Sequence, residues 1–295
     1  MPINKVWQKL LIRCFRARRL KHEISPEHFA LSATKVSISI AANDHLFAWW
    51  IPATLHSENH SAPTVIVLHG WGSNAGQMLS IAPWIHNLGL HALFLDARCH
   101  GASSDADFTS MPRFAEDLES ARNWVLSQAQ VDHRNVIAIG HSVGAGAVLL
   151  SATRTEWAGV VSLSAFAHPQ EMMKRYVKDL WLPSQKLLPW IVNEVQSIIG
   201  AKFDDIAPIN TIQNCRCPVM LVHGEDDMEV PVTDAQRIMQ AAPPDVQTFI
   251  VPNVGHDLRP AMNILGPHVC AFIQRIVNSQ MTIKESAPLN TKQCN

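Results

Sequence analysis

Short apolar runs alternate along this chain with stretches whose apolar residues return every third or fourth position. The short runs are rich in Val, Ile, Leu and Phe and read as strands, whereas the periodic stretches read as helices with one face on a core. Residues 36–40 and 46–51 flank the turn residues Asn43 and Asp44, which predicts an opening antiparallel hairpin. Six further strand-like runs follow, at residues 64–68, 92–95, 136–139, 160–163, 219–222 and 248–251. Helical patterns stand between them. One covers residues 75–88 and is broken or tilted near Pro83. Another covers residues 113–128, where Phe114, Leu118, Ala121 and Val125 step by about one turn. A last one covers residues 262–277. Strand–helix alternation of this kind predicts an α/β fold, a mostly parallel eight-stranded sheet flanked by helices.

Between Ala165 and Pro218 the alternation fails. Met172, Met173, Tyr176, Val177, Leu180, Trp181, Leu182, Leu187, Trp190 and Val195 return at helix-like spacing, interrupted by Pro183 and Pro189. The segment is too long for a plain loop, and it predicts a small helical cap inserted at about residues 167–210 over the carboxyl edge of the sheet. The expected organisation is a leader over 1–30, a main domain over 31–280 and a polar, disordered tail over 281–295. Residues 54–63 read as a polar loop.

Composition narrows the class. With 295 residues, 47% apolar and 17% charged, the chain can bury a sizeable core. Its net charge of −1 gives no reason to expect a nucleic-acid partner, but the charge is uneven. Lys5, Lys9, Arg13, Arg16, Arg18, Arg19 and Lys21 precede the first acid, Glu23. Trp7, Leu10, Leu11, Cys14 and Phe15 fall at helical spacing among them, so residues 1–21 predict a basic amphipathic helix. It either rests on an anionic membrane surface as a peripheral contact or packs on the domain. It lacks the unbroken apolar core of a secretory signal, and no apolar run is long enough to span a bilayer. The six cysteines show no metal or redox spacing, so free thiols in a reducing compartment are expected, which places the protein in the cytoplasm or at the membrane surface.

Candidate chemistry centres on Gly140-His141-Ser142-Val143-Gly144. A β-branched run precedes it and a small-residue, helix-compatible run follows. A strand turning sharply into a helix through G-x-S-x-G is a nucleophile elbow, and small residues on either side of Ser142 let the two elements pass closely. Such chemistry requires an acid and then a His further along. Glu225, Asp226, Asp227 and Glu229 follow the strand at 219–222, at the sheet edge where α/β folds place their sites. Val254-Gly255-His256 leaves the last strand, and upstream Leu68-His69-Gly70-Trp71-Gly72 leaves the strand nearest the elbow.

Four pieces in this order resemble the α/β-hydrolase superfamily over roughly residues 34–278, most closely its esterase, lipase and serine aminopeptidase branch. The motifs H-G-x-G, D-x-R-x-H-G (Asp96 to Gly101) and H-G-x-x-D-x-x-V-P (His223 to Pro231) carry the likeness. The resemblance implies a triad of Ser142, Asp227 and His256, with oxyanion donors at the backbone N–H groups of Val143 and Trp71. It implies cleavage of small-molecule esters of apolar acyl groups through an acyl-enzyme, without cofactor or metal. Thioester cleavage and aminopeptidase action are alternatives. The latter needs a cap carboxylate such as Glu171, Asp179 or Glu194 to grip an amine. A catalytically inactive scaffold is the alternative of another class. Cys99 departs from the pattern by standing where the family usually has Gly. Ala145 stands where a second Gly is common after the elbow. His69, His100, His223 and Asp96 are read as loop organisers and His141 as the variable elbow position. His69, His100 and His141 are a conceivable metal trio, but no ligand spacing supports it.

Overall fold

The computed structural model describes residues 5–54, 61–179 and 184–286. Residues 55–60 of the polar loop, Leu180 to Pro183 of the cap and the end of the tail from 287 lie outside the described residues. Eight strands form one sheet: β1 Thr34–Ser39, β2 His45–Ile51, β3 Ala62–Leu68, β4 His91–Leu95, β5 Val131–His141, β6 Gly159–Leu163, β7 Val219–Gly224 and β8 Gln247–Val251. Their order is β1-β2-β4-β3-β5-β6-β7-β8. The predicted hairpin pairs β1 with β2, β2 runs antiparallel to β4, and the remaining pairs are parallel.

The helices are α1 Lys5–Cys14, α2 Ala82–Asn87, α3 Met111–Leu126, α4 Val143–Ala152, α5 Pro169–Asp179, α6 Ser184–Ile199, α7 Phe203–Ile206, α8 Pro208–Thr211, α9 Val232–Ala241 and α10 Met262–Ser286. On one face of the sheet Ile66, Leu68, Leu93 and Ala138 meet Phe114 and Leu118 of α3 and Val148 of α4. On the other, Val65, Val67, Phe94 and Ile137 meet Ile85 of α2 and Phe272 and Ile273 of α10. Both faces are covered, so the central strands carry near-continuous apolar runs instead of alternating, with a few buried polar residues such as Thr64 and Ser162.

Two expectations are revised. The pattern over 75–88 is a 3₁₀ turn, Ala75–Ile81, followed by the short α2. Pro83 lies in the first turn of α2, where its missing N–H has no helical acceptor to satisfy. The last helix continues past 277 to Ser286, into the stretch expected to be an irregular tail. A helix anchored by packing propagates through residues of fair propensity such as Met281 and Lys284.

The cap occupies the interval between β6 and β7 as α5 to α8. Two guanidinium–carboxylate forks of opposite sense tie α5 to α9. Arg175 donates to Asp234 at 2.8 and 3.0 Å, and Arg237 donates to Glu171 at 2.6 and 3.0 Å. Helix α1 packs against α6. The chain passes from β3 to β4 on one side and returns to β5 on the other, which opens a crevice at the carboxyl ends of β3 and β5.

Candidate active site

Strand β5 enters α4 through Ser142, whose backbone holds φ 55° and ψ −115°. A non-glycine residue held there stores on the order of 1–3 kcal/mol of strain, and such strain persists only where the surroundings impose it. The Ser142 N–H donates to Leu163 O at 2.8 Å, fixing the turn to β6. The flanking glycines are required by close approach. A Cβ on Gly140 would meet Gly144 O at 2.1 Å, and one on Gly144 would meet His69 O at 2.5 Å. Val143 opens α4, where the first N–H groups of a helix lack intrahelical acceptors.

The His256 ring stands over the same crevice, its Nδ1 2.7 Å from Asp227 Oδ2. Asp227 is buried, whereas Glu225, Asp226 and Glu229 are exposed. The backbone N–H groups of Glu229 and Val230 donate to Asp227 Oδ1 at 2.9 and 2.8 Å, and His223 Nε2 lies 3.3 Å from Oδ2. Burial works to raise the pKa of this carboxyl, but the bonds from His223, His256 and Val230 outweigh it and hold the group ionised well below the usual carboxylate range. An ionised Asp227 can only accept, so His256 Nδ1 donates to it, which turns Nε2 away from the carboxylate. Among the carboxylates of this loop, the structure thus brings Asp227 to His256.

The neighbouring histidines hold loops, as the sequence suggests. His69 Nδ1 donates to Gly70 O at 2.6 Å and its Nε2 accepts from the Ala97 N–H at 3.1 Å. His100 Nδ1 donates to Arg98 O at 3.0 Å and its Nε2 accepts from the Gly72 N–H at 3.0 Å. Burial pushes His69 down and His100 down to about 3, which keeps both neutral, as these bonding patterns need. Together they brace the Gly70-Trp71-Gly72 loop against the loop after β4, and the Trp71 ring stacks on Phe114. Cys99 in that second loop adopts φ 64°, the left-handed conformation that explains why glycine suits the position. His141 Nε2 donates to His256 O at 2.9 Å, joining the elbow to the β8 loop. With both ring nitrogens of His69 and His100 committed in this way, these two are poorly placed as metal ligands beside His141.

Ser142, Val143, Trp71 and His256 all line one cavity of about 620 Å³ beneath the cap. Asp227 stands behind the imidazole. Among the described residues no hydrogen bond joins Ser142 Oγ to His256 Nε2; the two groups share the cavity. Its wall is mostly apolar: Phe166, Met172, Met173, Val195, Ile199 and Phe203 from the cap region, and Leu11, Ile12 and Phe15 from α1 and its end.

A family model described as the alpha/beta hydrolase family matches residues 65–263. The chain belongs to the alpha/beta hydrolase family. Among its relatives are the Mycobacterium tuberculosis protein Rv2307c, 28% identical over 212 residues that cover 72% of this chain and 68% of that one, and YfhR of Salmonella typhimurium, 25% identical over 247 residues, 82% and 77% of the two. The esterase Pf2001 of Pyrococcus furiosus shares the fold with a TM-score of 0.68 at 21% identity, covering 88% of this chain and 98% of that one. Est1E of Butyrivibrio proteoclasticus, solved with ferulic acid bound, gives 0.67 at 17% identity, over 82% and 99%. Within this alpha/beta hydrolase, several groups around the site are not legible from sequence. Arg19 donates to the carbonyls of Gly101 and Ser103 at 2.9 and 2.7 Å, and His22 Nε2 lies 2.8 Å from the buried Asp96. No local motif marks an arginine for distant backbone carbonyls. The spacing shows the amphipathic face of α1 but not the surface that it meets.

Proposed function

We propose that the protein is a serine hydrolase that cleaves carboxylic esters of apolar acyl groups. The observation that carries this reading is the 2.7 Å pair of Asp227 and His256 over the cavity that Ser142 enters on a strained elbow. Ser142 Oγ attacks the ester carbonyl carbon while His256 Nε2 takes its proton. The oxyanion that forms accepts from the N–H groups of Val143 and Trp71; a donor of this kind typically lowers the barrier by about 3 to 4 kcal/mol. Collapse expels the alcohol, which receives the proton from His256. Water then attacks the acyl-enzyme by the same route and releases the carboxylic acid. Asp227 holds the imidazole in one tautomer and stabilises the imidazolium.

The apolar wall favours an acyl group over a charged substrate. Amine recognition has less support. Glu171 is engaged by Arg237, and of the three carboxylates lining the cavity Asp107 and Asp257 are paired with Arg113 and Arg259, which leaves the exposed Glu229 as the one without an ion pair among the described residues. Labelling with a fluorophosphonate probe, beside turnover of p-nitrophenyl esters of rising chain length, tests the assignment. Wild type should label and Ser142→Ala should not. Labelling that survives Ser142→Ala, or folded wild-type protein that neither labels nor turns over esters, would overturn it.

A further inference from the structure

Helices α1 and α6 both line the cavity on one side and expose large apolar side chains on the other. Inward, Leu11 and Ile12 of α1 and Val195, Ile198 and Ile199 of α6 line the cavity. Outward, α1 exposes Leu10, and α6 exposes Leu187 and Trp190, three of the six large apolar side chains that are exposed among the described residues. Single exposed apolar residues are ordinary on a soluble protein. Here they gather on two helices packed against each other, and the basic residues Lys9 and Arg13 are exposed on α1 beside Leu10. The whole segment to Lys21 is basic on a molecule that is otherwise acidic.

We propose that the outer faces of α1 and α6 dock the protein on an anionic lipid bilayer, so that the cavity wall rests on the surface from which an amphiphilic ester would be drawn. The choice of occupant rests on charge: a protein partner for this acidic chain has no stated sign, whereas an anionic headgroup layer complements the exposed Lys9 and Arg13, which stand apart from Arg16 and Arg19, the two arginines paired with Asp105. Tryptophan and leucine seat at the headgroup boundary, and lysine and arginine meet the headgroups. The docking itself stands without the hydrolase assignment, while the drawing of substrate from the bilayer rests on it.

Sedimentation of the full chain with vesicles tests the docking without turnover. Wild type should pellet with phosphatidylcholine vesicles containing phosphatidylglycerol, stay in solution with phosphatidylcholine alone, and be released as salt rises and screens the headgroups. Leu10→Asp/Trp190→Asp and, separately, Lys9→Glu/Arg13→Glu should each weaken partitioning at least tenfold while still labelling with fluorophosphonate as wild type does, which also reports folding. The Ser142→Ala protein should pellet like wild type, so that failure of the hydrolase reading and failure of docking are separable. Wild type that remains in the supernatant with anionic vesicles, pellets equally with neutral ones, or partitions unchanged in both surface variants would overturn the proposal.

Discussion

Asp226 and Asp227 are chain neighbours with opposite surroundings. Asp226 is exposed, and its N–H ties the loop after β7 to the loop after β8 by donating to Val254 O at 2.9 Å. The Asp227 carboxylate is buried and accepts from two backbone N–H groups and His256. Asp227→Asn offers an amide where the imidazole needs an acceptor and releases the tautomer, so turnover should fall by about 10⁴-fold. Asp226→Asn should leave it within about twofold. Steady-state hydrolysis of a p-nitrophenyl ester measures both, and equal losses would move the assignment. Ser142 and the two glycines beside it are legible in the sequence because steric necessity confines that turn to small residues. The choice between Asp226 and Asp227 comes from resemblance alone, since burial and backbone N–H direction leave no mark in a run of four acids and a methionine.

At the level of elements, the loop after β4 is pinned to α3 by ion pairs, of which that between Arg98 and Asp117 is the most buried. Arg98 donates through Nε at 2.8 Å to Asp117 Oδ1, its Nη2 lies 2.6 Å from the same oxygen, and its backbone N–H reaches Oδ2 at 2.7 Å. Asp117 is fully buried. Asp117→Ala would leave the Arg98 N–H without its acceptor and the largely buried guanidinium with only the 3.3 Å pair to the exposed Glu116, at a cost of about 3 kcal/mol, readable as a lower urea midpoint. A loss under about 1 kcal/mol would show that the loop is held elsewhere. Strands and long helices are legible because burial on both faces imposes continuous apolar runs and burial on one imposes a period. The forks between α5 and α9 are not, because Arg175 with Asp234 and Glu171 with Arg237 are separated by long stretches of chain and no local periodicity relates them.

Across the whole fold, four histidines among the described residues are held by burial below the ordinary imidazole range: His69, His91, His100 at about 3 and His141 at about 4. Unfolded, they titrate near 6.5. As pH falls below 6.5 the unfolded chain therefore binds more protons than the folded one, and stability drops by up to about 1.4 kcal/mol per pH unit for each group. Asp117, raised by burial to about 6 from 3.8, works in the opposite sense between those two values, because there the folded form holds the additional proton. Four groups against one predict a lower thermal midpoint at pH 5 than at pH 7, with a shallower dependence in His141→Gln. A midpoint unchanged or higher at pH 5 would contradict this.

The path of residues 16–24 has a practical meaning. Arg19 caps the carbonyls of Gly101 and Ser103, Asn74 holds those of Leu20 and Lys21, and His22 lies against Asp96 and Trp49. A recombinant version cut back to begin at β1 would keep every reactive side chain and still forfeit the brace behind the loops that aim them. An inert preparation truncated in this way would therefore say nothing about the chemistry of the intact chain.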